Sequence, residues 1–222
     1  MRSLAIAYGN NRQAKTWVNK TITYGELKDR LKVTIRTSES AEEYAKMKKA
    51  DRDLAKDHGG FVAGALAYGR RKVDSVEFRS MLALDGDHVA KDFIALYESV
   101  APYTSFLYTT HSHTPDNPRV RIVFPLTRNV MPDEFVAVSR YLADMLGIDQ
   151  FDECSYLPNQ LMYWPSTPQN GVYEYKEVEK DWLNPDDILS AHPEWTDPTR
   201  LPTSSRAVSY THLRAHETDS YL

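Results

Sequence analysis

Asp85 and Asp87 stand two residues apart in the segment LALDGDHV. On a strand, that spacing projects both carboxylates from one face. The apolar residues before them predict a buried strand emerging at a sheet edge, with Leu82 and Leu84 on the opposite face. Oxygen-only ligands of this kind suit Mg²⁺ or Mn²⁺ rather than zinc. The plainer reading is a polar strand end around a turn at Gly86, and the pair by itself does not decide.

Downstream, TSFLYTTHSH and RVRIVFPL flank Thr114-Pro115-Asp116-Asn117-Pro118, whose proline and Asx content predicts a hairpin loop. Symmetric pairing about that loop sets His113 opposite Arg119 and His111 opposite Arg121, so all four share a face. Tyr108, Thr110, Ser112, Val120 and Ile122 then line the other. Two imidazoles and two guanidiniums crowded together call for an anion, and a triphosphate is the natural guest. A solvated hairpin with polar cross-strand pairs is the alternative. Asp152 follows a helix and a turn and could join the acidic pair as a third metal ligand, with Asp149 and Glu153 as neighbouring candidates. Arg70, Arg71 and Lys72, together with Arg79, could grip a nucleic-acid backbone; a solvated basic loop explains them equally well.

The elements that must position these groups can be read from pattern. Thr23 caps a short helix carrying Leu27 and Leu31, and Ser40 caps a charged helix running to the Gly59-Gly60 break. From Arg79 the pattern turns to strands. VAKDFIALYESV is an amphipathic helix. In MPDEFVAVSRYLADMLGI, Pro132 opens a helix whose inner face carries Phe135, Val138, Leu142 and Met145, and Gly147 ends it. QLMYWPS and GVYEYKEVEK read as short strands, and NPDDILSAH as a closing helix. The order predicts an α+β domain with a mainly antiparallel sheet. Residues 1–78 are expected to form an N-terminal accessory layer of the same domain, 79–192 the catalytic core, and 193–204 a linker.

The chain has 222 residues, 41% of them apolar and 26% charged, enough for one large domain. Its net charge of −4 argues against a protein that coats nucleic acid nonspecifically, although a local basic patch can still bind phosphate. A single cysteine, Cys154, excludes an intrachain disulfide framework and a cysteine-based zinc knuckle. The start lacks the signature of a signal peptide, and no apolar run approaches the ~18 residues of a membrane span, so the cytoplasm is the expected compartment. The stretch 205–222, SRAVSYTHLRAHETDSYL, resembles translated sequencing-adaptor read-through. It is set aside from the fold, so His212 and His216 carry no weight as ligands, and the natural protein is expected to continue differently past about residue 203.

In order, LALDGDHV, YTTHSHTPDNPRVRIVFPL and FDECSYLPNQLMYWPS resemble the three motifs of archaeo-eukaryotic-type primase-polymerases. The likeness is closest to the N-terminal domain of phage and mobile-element replication proteins of the virulence-associated E type. GGFVAGALAYGRRK and RSMLALD fit the same family, extending the likeness over about residues 1–200. The resemblance implies an RRM-like antiparallel sheet flanked by helices, and a two-metal site of Asp85, Asp87 and Asp152 holding Mg²⁺ or Mn²⁺. It implies nucleoside triphosphates and a single-stranded DNA template as partners, with a helicase-like ATPase region downstream in relatives. His111 or His113 would contact the nucleotide phosphates, and Arg119 and Arg121 would neutralise charge there. Relatives are expected to carry a basic residue near Gln160.

Two other readings compete. His111-Ser112-His113, with Tyr44 and Lys48, is similar to the HUH-type rolling-circle nickases, although there the tyrosine follows the histidines and the middle residue is bulky and apolar. A catalytically inactive nucleic-acid-binding module is the second, and the intact acidic pair argues against it.

Overall fold

A computed structural model describes residues 3–206. The first part contains β1 (Leu4–Gly9), β2 (Val18–Ile22), α1 (Tyr24–Lys32), β3 (Ile35–Arg36), α2 (Ala41–Lys46), α3 (Lys49–Ala55), β4 (Gly60–Val62) and β5 (Gly64–Leu66). Then follow β6 (Val76–Gly86), α4 (Phe93–Val100), β7 (Ser105–Thr109), β8 (Val120–Val130) and α5 (Pro132–Met145). The last elements are β9 (Met162–Tyr163), β10 (Ser166–Thr167), β11 (Tyr175–Val178) and α6 (Pro185–Ala191). Among these described residues no helix is long and apolar enough to cross a membrane.

The fold is mixed α/β, built on a five-stranded antiparallel sheet in the order β11-β7-β8-β6-β5. One face carries Leu82, Leu84, Leu107, Ile122 and Phe124, packed with Phe93, Tyr97, Phe135, Leu142 and Ile188 of the helices α4, α5 and α6. The other carries Met81, Ala83, Phe106, Tyr108 and Val123, packed on Leu4, Ile6, Leu27 and Phe61 of the N-terminal layer. Burial on both faces explains why residues 106–108 of β7 and 122–126 of β8 are apolar without alternation.

Local signals place several elements as expected. Thr23 and Glu26 form a capping box at α1, and Ser40 and Glu43 form another at α2. Gly147 ends α5 with φ of 89°, a conformation that favours glycine. Met145, expected on the inner face of α5, is instead exposed, while Leu142, Ala143 and, partly, Leu146 keep the last turn against the core. The charged helix from Ser40 is broken: Met47 and Lys48 are extended, separating α2 from α3. Tyr44, the one buried side chain of α2, is held against His111, while α3 buries none, so tertiary contact decides the break.

The N-terminal layer is interleaved with the core. Its sheet, β2-β1-β4-β9, takes its last strand from after α5, and β3 pairs with β10 in parallel. In return β5, two residues beyond β4, joins the large sheet. Residues 193–204, expected as a linker, lie on the domain: Leu201 is buried, Arg140 donates to the Pro202 carbonyl at 2.9 Å, and Ser204 donates to Asp149 at 2.7 Å. His212 and His216 lie outside the described residues.

Candidate active site

Three neighbouring strands set one row of side chains across the sheet. Asp85 on β6 faces Arg121 on β8, which faces Tyr108 on β7. All three project toward the N-terminal layer, on the face of Met81 and Ala83. Arg121 grips Asp85 through two nitrogens: Nε reaches Oδ1, and Nη2 donates to Oδ2 at 3.0 Å. Its Nη1 donates to the Tyr163 carbonyl at 3.3 Å. Burial lowers the proton affinity of this guanidinium, but Asp85 more than offsets it and holds it more firmly protonated than an ordinary arginine. Gln160 Nε2 completes the carboxylate at 2.8 Å, occupying the position where a basic residue was expected.

The hairpin register differs from the symmetric one. Tyr108, not His111, opposite Arg121 is a slip of three residues, and an odd slip exchanges the two faces. Tyr108 therefore shares the face of Arg121, while Val120 and Ile122 point to the helices. The strand ends at Thr109, and Thr110 donates to the Arg119 carbonyl at 2.9 Å. An additional turn, closed by His113 donating to the Thr110 carbonyl, precedes the Thr114–Asn117 turn. The proline and Asx residues located the tight turn but not the turn before it.

The two histidines consequently diverge. His111 is buried in the wall of the cleft described below, with Nδ1 2.9 Å from Ser166 Oγ and Nε2 3.0 Å from Glu39 Oε1. His113 accepts a bond from the Arg119 backbone at 3.3 Å through Nδ1, and its Nε2 lies 3.7 Å from Glu174. Burial lowers the proton affinity of both, opposed by Glu39 at His111 and by Glu174 at His113. They do not form the paired-histidine strand of a rolling-circle nickase. Tyr44, the nucleophile that reading needs, is buried with its hydroxyl 3.2 Å from Ser112 Oγ.

Asp87 lies just past β6 and pairs with Arg119 at 2.8 Å. Asp152 is tied to the same strand end: its backbone amide donates to the Asp85 carbonyl at 2.9 Å, and its carboxylate accepts from the Cys154 amide at 2.7 Å. Ser155 Oγ accepts from the Asp85 amide at 2.9 Å, so the loop is fastened on both sides of Asp85. The Cys154 thiol is pushed up to about 11, first by desolvation and then by the carboxylates of Asp152, Asp85 and Asp87 around it. Among the described residues no three His, Cys, Asp or Glu side chains form a metal-binding group. The oxygens of Asp85 and Asp87 are engaged by guanidinium groups, and Asp152 is engaged as a cap. Its two neighbours are engaged elsewhere, Asp149 by Ser204 and Ser205 and Glu153 by Arg140.

These groups open into a cleft of about 620 Å³. Arg12, Lys56, Arg71, Arg119 and Arg121 line it against the carboxylates of Asp85 and Asp87. The excess of cations and the volume both suit an anionic ligand of nucleotide size. Residues 1–204 match the VapE N-terminal domain. The chain belongs to that family. In solved structures, the primase-polymerase (AEP) domain of cyanophage S-2L is similar with a TM-score of 0.47 at 12% identity, over 85% of this chain and 88% of that one. No curated protein matches the sequence.

In this VapE N-terminal domain the sequence pattern missed Arg12 and Lys56, which share Asp53 at 2.8 Å each and reach the cleft from before the core. Neither sits in a motif, and no local signal reports them. Arg71, placed with Arg70 and Lys72 as a possible backbone grip, also lines the cleft. Arg79 does not belong with them. It is fully buried, donating to the Ala63 carbonyl at 3.0 Å and to the Pro158 carbonyl at 2.5 Å, with its guanidinium 4.1 Å from the Phe135 ring centroid.

Proposed function

We propose that this domain is a primase-polymerase: a metal-dependent nucleotidyl transferase that adds NTP or dNTP units on a single-stranded DNA template. The observation that carries the reading is the charge arrangement at the end of β6, where each aspartate of the pair already holds an arginine of β8 or its leading loop. Each charge of the pair is thereby matched within the protein. A triphosphate lets Arg119 and Arg121 exchange carboxylate for phosphate oxygens, which guanidinium forks bind well. Asp85 and Asp87, released from them, would hold Mg²⁺ or Mn²⁺ together with Asp152.

When bound, the ions supply charge neutralisation at the phosphates and a more nucleophilic 3′-hydroxyl. Arg119 and Arg121 stabilise charge as it grows on the departing pyrophosphate. Tyr108 and the Tyr163 carbonyl orient Arg121, and Gln160 orients Asp85. His111, whose ring nitrogens are both taken by Ser166 and Glu39, would donate to the phosphates only by exchanging one of these partners, as the arginines exchange their carboxylates. A downstream helicase-like ATPase region is the partner the family resemblance implies.

Incorporation of labelled dNTP on a primed single-stranded template, with Mn²⁺ or Mg²⁺, tests the reading. Asp85→Asn keeps an acceptor and a similar shape but removes the charge, and should lower incorporation by about a hundredfold or more while DNA binding stays. Wild-type protein that binds DNA yet incorporates nothing with either metal would leave an inactive binding module instead.

A further inference from the structure

Tyr68 is the most exposed large hydrophobic residue among those described, at 94%, and it also adopts a left-handed backbone, with φ of 54° and ψ of 19°. An aromatic residue rarely takes that conformation, and it persists where the surroundings impose it. Here they do. The Trp17 amide donates to the Gly69 carbonyl at 2.8 Å. At Gly69, where φ is +61°, a Cβ would come within 2.7 Å of the Trp17 carbonyl. On the other side, Asn19 bonds both the amide and the carbonyl of Leu66 at 3.0 Å. The loop is clamped at both ends, and its product is an aromatic ring held out into solvent.

Two residues further along the chain, Arg70, Arg71 and Lys72 join Arg12 and Lys15 in lining a groove of about 390 Å³ to which no carboxylate contributes. Among the described residues no acid pairs with Lys15, Arg70 or Lys72. Arg71 holds the carbonyls of Asn159 and Arg12, yet its buried Nε has no partner. Arg12, Gln13 and Arg71 line this groove and the cleft alike, so the two adjoin.

We infer that this groove and the Tyr68 loop form a track for single-stranded nucleic acid, with the cations following the phosphates and Tyr68 stacking on an unpaired base. Free cationic side chains select a polyanion, and an exposed ring selects an accessible base face, which a duplex does not offer. The inference rests on the proposed activity for what the strand does after binding, since the groove adjoins the cleft.

Fluorescence anisotropy of a fluorescein-labelled single-stranded oligonucleotide, titrated with the full chain over a range of salt, tests it. Tyr68→Ala should weaken binding by about tenfold, as expected when one base no longer stacks, with the salt dependence unchanged, while Tyr68→Trp restores it. Arg70→Ala with Lys72→Ala should flatten the logarithmic salt slope by about 0.7 for each phosphate that is no longer neutralised. All three side chains are exposed, so the variants should keep the wild-type fold. Wild-type affinity in Tyr68→Ala, an unchanged slope in the basic variant, or equal affinity for duplex would overturn the track. Nucleotide incorporation is measured in parallel: a wild type that binds in this pattern but incorporates nothing loses the proposed activity and keeps the track. An active enzyme indifferent to Tyr68→Ala does the reverse.

Discussion

Arg121 is almost wholly buried beside Asp85, so removing either charge strands the other where water cannot compensate it. The same burial acts on the histidines with the opposite result. His111 and His113 bind protons more weakly in the folded chain than in the unfolded one. The unfolded state therefore holds more protons just below the ordinary imidazole value of about 6.5. Their contribution to stability is complete above that value and is lost as pH falls through the lowered folded values. The melting temperature should drop as the pH is taken from about 7 to about 5, before ordinary carboxylates titrate. His113→Asn should reduce that drop, because Asn carries no titrating group; parallel profiles for variant and wild type would count against it.

Gly60 shows how a short element governs the site. It pairs with Gly9 on one side and Tyr163 on the other, in the middle of the N-terminal sheet. A Cβ there would sit 2.2 Å from the Met162 carbonyl, a backbone atom that cannot swing aside. Gly60→Ala should push β9 away, cost about 1–3 kcal/mol in urea unfolding, and weaken nucleotide binding. Tyr163, whose carbonyl accepts from Arg121, belongs to that pairing, and Gln160, which bonds Asp85, lies two residues before β9. Loss of stability with unchanged nucleotide affinity would show that β9 does not position the cleft. Caps and glycine stops were legible in these elements because their signals are local. The hairpin register was not, because contacts distant in sequence bury His111 against Ser166 and Glu39.

Across the whole molecule, β4 and β5 belong to different sheets although Ala63 alone separates them, and β9 and β10 return from after α5 to complete the N-terminal layer. The boundary expected at residue 78 is thus crossed in both directions, and neither side closes its sheets alone. Unfolding should be one cooperative transition, with far-UV circular dichroism and tryptophan fluorescence coincident. Trp17 reports the N-terminal strands, Trp164 and Trp182 the contact of that layer with the large sheet, and Trp195 the helical side. Two separated transitions, or a cooperative transition in a fragment of residues 79–204, would contradict this.

The sequence by itself determined the identity of the acidic strand, the helices with their caps, the antiparallel character and the family likeness. Each depends on residue types and short spacings, which act within a few residues. Only the tertiary structure decided which groups meet: that Arg121 takes Asp85 and Arg119 takes Asp87, that the histidines part, and that Arg12, Lys56 and Gln160 enter the cleft. Strand register and loop docking are set by burial between segments far apart in the chain, and no local pattern encodes that sum.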